Sequence, residues 1–173
     1  MHGTTFRVAR LAGIDINIHF SWLLIVALLS WTLADGVFPA HYKGWSTTAY
    51  WLVGVAAAVL LFVTVLIHEL AHALVAIRRG VPVPRITLFI FGGVSQLARQ
   101  PETARTEFAI AVVGPATSLV IAAIAGVVAI TAGASNEKVE AIFGYLAAVN
   151  LLLGVFNLLP GFPLDGGRVL RSI

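Results

Sequence analysis

The chain of 173 residues is too apolar to be an ordinary soluble domain. Hydrophobic residues make up 59% of it and charged residues only 11%, whereas a soluble domain has about 25% charged residues. The apolar runs recur along nearly the whole length, which excludes a soluble domain with a single anchor. Cysteine is absent, so neither a disulfide framework nor thiolate chemistry is available.

Four segments are long and apolar enough to be membrane spans, since a helix needs about 20 apolar residues to cross a ~30 Å hydrocarbon layer. Pro160 and Pro163 should end the last of them, because proline breaks a regular helix. The sequence therefore predicts an all-α polytopic membrane protein, with about four transmembrane helices near residues 18–33, 49–77, 108–132 and 141–159.

Two further segments are predicted not to be helical. Residues 6–19 alternate partly in polarity around Gly13, which predicts a short N-terminal hairpin at the membrane surface. Residues 83–97 are rich in β-branched and aromatic side chains and are interrupted by Gly92 and Gly93. We interpret this second segment as a re-entrant β-type loop on the cytoplasmic side, because non-helical backbone inside a membrane must be buried in protein or line a cavity. An ordinary surface hairpin is the alternative.

The basic residues indicate topology rather than nucleic-acid binding, although the net charge is +3. They are spread between the predicted spans, and cytoplasmic loops carry an excess of lysine and arginine. Only Lys43 and Lys138 fall on one side of a four-span arrangement. This bias predicts a plasma-membrane protein with a cytoplasmic amino terminus and a cytoplasmic 78–107 loop. The residues on that predicted cytoplasmic side are Arg7, Arg10, Arg78, Arg79, Arg85, Arg99, Arg105, Arg168 and Arg171.

His68, Glu69 and His72 form an HExxH motif late in the second predicted span. Histidines at i and i+4 share one face of a helix and can bind one metal ion. The neighbouring glutamate lies close enough to move protons to and from a metal-bound water. The alternative, two core histidines and a stray glutamate, would leave a charge unpaired in lipid at a cost of several kcal/mol. We therefore predict a metal site inside the bilayer thickness.

A catalytic zinc ion usually has three protein ligands and a water, so a third ligand must come from another segment. Among the eight acidic residues, Asp165 has the most suitable depth, because it follows a span that travels inward. Gly166 and Gly167 should let this loop fold back, since glycine tolerates unusual backbone angles. Two imidazoles and an anionic oxygen suit Zn²⁺, and other divalent metals stay open. Asp165 as a mere turn residue at a helix end is the other interpretation.

Residues 157–168, with the sequence NLLPGFPLDGGR, resemble the NxxPxxPLDGGR motif of the site-2 protease family of intramembrane zinc metalloproteases. Phe91-Gly92-Gly93 resembles the glycine-pair loop of that family. Gly114-Pro115-Ala-Thr-Ser118 resembles its GPxxS/N element. The resemblance extends over the whole chain, and its two principal motifs are highly specific.

The resemblance implies that His68, His72 and Asp165 bind one Zn²⁺ and that Glu69 is the general base and acid. It also implies contacts with the substrate or the developing oxyanion for Asn157, Gly92 and Gly93. An interhelical hydrogen bond is the alternative role of Asn157. Asn150, which lies seven residues earlier on the same span, is the stronger candidate for that role.

These features predict one transmembrane metalloprotease core over residues 1–173, which hydrolyses a peptide bond in or near a transmembrane segment of a membrane-bound substrate. The family implies regulated intramembrane proteolysis of transcription-factor or anti-sigma-type regulators. We expect further helices after residue 173, and a cytoplasmic regulatory domain occurs in some members. The active site should open toward the cytoplasm, and residues 83–97 could hold an unwound substrate by strand addition.

Two other functional classes are compatible with buried histidines and acidic residues. A metal transporter or channel would carry ligands on several spans with an outlet on both faces, whereas these ligands concentrate toward one face. A non-catalytic scaffold with a structural zinc would have no use for Glu69. Neither the substrate nor the oligomeric state can be inferred from the sequence.

Overall fold

The computed structural model describes residues 5–161 and 164–172 and contains four helices long and apolar enough to cross a membrane. This confirms the number of predicted spans and their approximate positions. Large apolar side chains such as Leu52 and Ile130 are exposed on these helices, as expected for surfaces that face lipid. The spans cover Phe20–His41, Thr47–Arg78, Ala104–Ser135 and Glu137–Asn157.

The first span is longer than the sequence predicts. It consists of α1 (Phe20–Trp31), a π-helical stretch (Thr32–Val37) and α2 (Phe38–His41). The expected end at residue 33 is wrong because the helix continues through Asp35 and Pro39. Pro39 lies in the first turn of α2, directly after the π-helical stretch.

The central helix α3 (Thr47–Arg78) carries the HExxH motif. Ser46 begins it by accepting a hydrogen bond from the N–H of Ala49, which is the usual chemistry of a helix N-cap. With 32 residues the helix is about 48 Å long. It exceeds the ~30 Å of a hydrocarbon layer, so α3 must tilt or project beyond it.

The two predicted non-helical segments form one four-stranded sheet in the order β1-β2-β3-β4. Each segment is an antiparallel hairpin, and the parallel pairing of β2 with β3 joins them, with Ile16 opposite Ile86. The re-entrant character of the second hairpin stays a prediction. The strands are β1 (Thr5–Leu11), β2 (Ile14–His19), β3 (Arg85–Phe89) and β4 (Gly92–Gln96).

The sheet packs against the half of α3 that carries the histidines. Ile14, Ile16 and Ile86 are fully buried in one core with Ala73 of α3 and with Ile110 of α4 (Ala104–Thr131). Burial of such side chains contributes about 1.5–3 kcal/mol each. This core therefore fixes the sheet beside the HExxH motif.

Two further helices complete the fold, α5 (Glu137–Asn157) and the short α6 (Asp165–Arg171). Asn150 is fully buried on α5 and donates to Thr64 Oγ1 of α3 at 3.1 Å, which confirms the interhelical role expected for it. Gly154 lets α5 approach α4 closely, since a Cβ there would lie 2.9 Å from the side chain of Leu119. α6 packs against α4 and brings Asp165 to the interior.

Candidate metal centre

His68, His72 and Asp165 meet in one cluster between α3 and α6. The Nε2 atoms of the two histidines are 3.1 Å apart. Asp165 Oδ2 lies 3.3 Å from Nε2 of His68 and 3.1 Å from Nε2 of His72. Both histidines are buried, at 4% and 6% exposure. The structure therefore brings together the three residues that the sequence predicts as ligands.

The hydrogen bonds of the imidazoles show why this cluster is suited to a cation. Nδ1 of His72 lies 2.5 Å from the carbonyl oxygen of Ile110. A carbonyl only accepts, so Nδ1 carries a hydrogen, and in the neutral imidazole Nε2 is then an acceptor. Nε2 nevertheless faces a carboxylate oxygen of Asp165, which is also an acceptor. Two acceptors at this distance are stable only when a proton or a metal cation is shared between them.

The spacing of these atoms fits zinc. Ligand bonds of about 2.0–2.2 Å in tetrahedral geometry place ligand atoms about 3.4 Å apart. The three observed separations, 3.1, 3.1 and 3.3 Å, lie within a few tenths of an ångström of that value. Two imidazoles and one carboxylate also form a donor set typical of catalytic zinc sites.

Helix α4 forms one wall of the cluster through residues that contact both imidazoles. Ser118 is fully buried, and its Oγ lies 2.8 Å from His68 Nδ1. Gly114 faces the two rings so closely that a Cβ would collide with the Nε2 atoms of both histidines. Pro115 follows inside the same helix, and Ile110 in the preceding turn supplies the carbonyl that holds His72. The close packing of α4 at Gly114 thus leaves room for both imidazoles.

Strand β4 holds the carboxylate of Glu69. The hydroxyl of Ser95 donates to Glu69 Oε2 at 2.7 Å. Gly93 lies against the same side chain, since a Cβ there would collide with Glu69 Cγ. The preceding residue, Gly92, has φ +120°, a conformation that favours glycine. One oxygen of Glu69 is thus held by Ser95.

The structure corrects the reason given for the glycines that follow Asp165. Gly166 and Gly167 lie inside α6, and neither is among the described residues with positive φ. Gly166 is required for space, because a Cβ there would collide with the backbone carbonyls of Leu158 and Leu159. The missing side chain lets the first turn of α6 pack against the end of α5, and this contact brings Asp165 inward.

Asn157 lies at the C-terminal end of α5 and is half-buried. Its Nδ2 donates to the carbonyl of Leu153 in the same helix at 3.0 Å. Within residues 5–161 and 164–172, no hydrogen bond joins Asn157 to the three clustered side chains. Its expected contact with substrate or oxyanion stays a prediction, as does the interhelical alternative. Pro163 lies outside the described residues.

Sequence reasoning did not assign the roles of Ser95, Ser118 and Glu107. Ser118 belongs to the GPxxS element, which is the one signal that pointed toward it. Glu107 is buried on α4 and pairs with Arg171 of α6, with the guanidinium Nε 3.0 Å from Glu107 Oε1. These contacts join residues that are distant in sequence, so no local pattern reveals them.

The comparison with known families gives a match to the model of Peptidase family M50 over residues 56–133 and 123–173. Two curated relatives are named "Putative zinc metalloprotease". Rip3 of Mycobacterium tuberculosis is 47% identical over 95% of this chain, and sll0528 of Synechocystis is 43% identical over 96%. The chain spans 42% and 43% of the length of these relatives.

A solved structure, the site-2 protease from Methanocaldococcus jannaschii, matches with a TM-score of 0.62 and 28% sequence identity. The match covers 97% of this chain and 70% of that one. The small sheet and the four long helices thus occur together in a known fold. Since the family model matches well over half of the residues, the chain belongs to Peptidase family M50.

Proposed function

We propose that this chain is the catalytic core of an intramembrane zinc metalloprotease, which hydrolyses a peptide bond in or near a transmembrane segment of a membrane-bound protein. The observation that carries the proposal is the meeting of three metal-binding atoms within 3.1–3.3 Å of one another. Glu69, the residue after the first histidine, is held beside them by β4. The metalloprotease names of the relatives support the same activity.

The proposed ligands of one Zn²⁺ are His68, His72 and Asp165. When bound, zinc supplies a Lewis acid that lowers the pKa of a water and polarises the scissile carbonyl. The chain's own contribution begins with orientation. Ser118 and the carbonyl of Ile110 hold the second nitrogen of each imidazole, and such contacts fix the ring position and raise the basicity of the ligands.

Glu69 is the proposed general base and acid. Its carboxylate takes a proton from the attacking water and later delivers a proton to the leaving amine nitrogen. The hydrogen bond from Ser95 to Oε2 restricts the rotation of this side chain. Gly93 leaves room for the carboxylate on its strand side. General acid–base catalysis of this kind contributes about 10²–10⁴-fold to a reaction rate.

The edge of β4 is the proposed docking site for the substrate backbone. A substrate helix must unwind before hydrolysis, because its carbonyls are tied up in internal hydrogen bonds. An unwound segment added to β4 would pass beside Glu69, since Ser95 and Gly93 of this strand contact that carboxylate. A proline at Val94, an exposed position of β4, should impair cleavage. Unchanged cleavage would count against strand addition.

The charge distribution supports a plasma-membrane protein whose active site opens toward the cytoplasm. The loop that carries Lys43 lies beside the start of α5, which carries Lys138, and Trp45 Nε1 of that loop donates to Glu137 Oε2 at 2.9 Å. At the opposite end of the helices lie the sheet, α6 and Arg99, whose guanidinium donates to the carbonyl of Gly80. The arginine-rich end is the cytoplasmic one under the positive-inside rule. The family resemblance suggests transcription-factor or anti-sigma-type regulators as substrates.

The deciding experiment compares wild type with Glu69→Gln, both reconstituted in vesicles with a panel of labelled single-span peptides. We expect Glu69→Gln to retain zinc and to lose cleavage by at least about 10²-fold, because only the proton acceptor is removed. Full activity in this variant would rule out Glu69 as the general base. Retained zinc with lost proteolysis also argues against a transporter, which needs no general base.

Metal content tests the ligand set separately. His72→Ala and Asp165→Asn should each lose most of the zinc that the wild-type protein holds. Near-stoichiometric zinc in Asp165→Asn would refute the third ligand. The matched control is Glu102→Gln, which neutralises an exposed carboxylate paired with Arg99 and should retain its zinc.

A further inference from the structure

Glu107 is a buried carboxylate that the proposed reaction does not use. It lies in the first turn of α4 and is 7% exposed. Two arginines of α6 face it. The Nε of Arg171 is 3.0 Å from Glu107 Oε1, and Nη2 of the same guanidinium contacts the same oxygen. The Nε of Arg168 lies 4.0 Å away.

A carboxylate with this burial needs a partner, because removing one member of a buried ion pair leaves the other uncompensated. The partners of Glu107 both come from α6. Two contacts with neighbouring elements fix the position of this helix. At its first turn the contact is Gly166 against the end of α5. At its last turn the contact is Arg171 against Glu107.

Asp165 is the first residue of α6, and its position therefore depends on both contacts. Arg171 lies six residues further on, which is about 9 Å along a helix axis. A shift or rotation at the arginine end moves the aspartate end as well. The tolerance is narrow, because ligand distances in a metal site must hold within about 0.2 Å.

Helix α4 also holds the other two ligands. The carbonyl of Ile110, three residues after Glu107, accepts from His72, and Ser118 contacts His68. The same helix thus contacts the histidines through its middle and the aspartate-bearing helix through its first turn. The two halves of the cluster are aligned on one element.

We propose that Glu107 is a positioning residue for the metal centre. Its ion pairs with Arg171 and Arg168 set the height and rotation of α6, so that Asp165 Oδ2 meets the two histidine nitrogens. The inference rests on the proposed zinc ligands and adds Glu107, a side chain outside the ligand set, to the residues that determine zinc affinity. Glu107 itself does not touch the metal or the substrate.

The test measures zinc affinity by competition with a chelator, on the full chain at a temperature where each metal-free variant is folded. We expect Glu107→Gln to lower zinc affinity about tenfold, the lower end of the range for residues that support metal ligands. Arg171→Gln should act in the same direction and is the safer variant for folding, because Arg168 remains beside Glu107. Glu102→Gln is the matched control, since it removes an exposed ion pair that does not involve α6.

If Glu107 and Arg171 only stabilised the fold, the measurements would give a different result. The metal-free variants would then unfold at lower temperature, while the zinc affinity of the folded protein would equal that of wild type. Equal affinity in both Glu107→Gln and Arg171→Gln would overturn the inference and leave the zinc site intact. A wild-type protein that binds no zinc, or an Asp165→Asn variant that binds zinc with full affinity, would instead overturn the metal site on which the inference rests.

The double variant Glu107→Gln/Arg171→Gln tests whether the pair acts as a unit. Residues that share one interaction have non-additive effects. We therefore expect the zinc affinity of the double variant to be about equal to that of the single variant with the lower affinity. Additive losses would mean that the two side chains act separately and would contradict the proposed ion-pair mechanism.

Discussion

Ser118 is fully buried on α4, and its hydroxyl lies 2.8 Å from Nδ1 of His68. Groups that hold the second nitrogen of a metal-binding imidazole fix the ring, and their loss costs about 10–100-fold in metal affinity. We expect Ser118→Ala to weaken zinc binding by about tenfold while the protein stays folded. The measurement is chelator competition on purified protein.

Thr117→Ala is the matched control for this substitution. The hydroxyl of Thr117 donates to the carbonyl of Val113 in its own helix at 2.7 Å, and it is adjacent to Ser118 in sequence. Its loss should leave zinc affinity unchanged. If both variants lost the same affinity, the cause would be a general change in α4 rather than the contact with His68.

At the residue scale, the sequence predicts the ligands but not their supports. The i, i+4 spacing alone puts His68 and His72 on one helix face, and the depth of the preceding span points to Asp165. The contacts of Gly114 and Ser118 with the imidazoles depend on how α4 packs against α3. Helix packing is set by the whole interface, so a glycine that must face two rings cannot be recognised from its own segment.

At the scale of elements, the start of α6 depends on a missing side chain. A Cβ at residue 166 would collide with the carbonyls of Leu158 and Leu159, and backbone atoms cannot move aside as a flexible side chain can. Gly166→Ala should therefore push the first turn of α6 away from α5 and carry Asp165 with it. We expect a loss of zinc affinity of at least about tenfold, measured by the same chelator competition.

Gly161→Ala provides the comparison for this variant. Gly161 lies in the same connection between α5 and α6, and among the described residues a Cβ there would meet no atom within 4 Å. The alanine should be tolerated without loss of zinc. Normal zinc affinity in Gly166→Ala would show that the position of Asp165 does not depend on the contact between α6 and α5.

Most elements follow from local sequence patterns, but the pairing of the strands into one sheet does not. The N-terminal hairpin and the β-type character of residues 83–97 are both predicted from composition and glycines, because strand signals are short-range. Their union through β2 and β3 joins residues about 70 positions apart, and no periodicity within either segment encodes that pairing. The sequence also underestimates the length of the first span. The helix does not end at residue 33 but continues through a π-helical stretch that contains Asp35.

At the scale of the whole molecule, the fold separates two ends of different charge. The sequence predicts nine arginines on the side that carries the sheet and α6, and only Lys43 and Lys138 on the other. The hydrogen bond between Trp45 and Glu137 joins the loop that carries Lys43 to the first turn of α5, which carries Lys138. Burial alone does not decide which end faces the cytoplasm, so the orientation rests on the charge bias.

The absence of cysteine allows a direct test of this orientation. Ser135→Cys and Gln100→Cys introduce single thiols at exposed positions of opposite ends, and neither changes the charge bias that is being tested. With a membrane-impermeant maleimide on intact cells, Ser135→Cys should react at once. Gln100→Cys should react only after the membrane is permeabilised. Both proteins should bind zinc normally, because neither position contacts the cluster.

The opposite labelling pattern would put the arginine-rich end outside the cell and overturn a cytoplasmic opening of the active site. Labelling of both thiols without permeabilisation would mean that the chain does not hold one orientation, and the charge bias would then be too weak to set it.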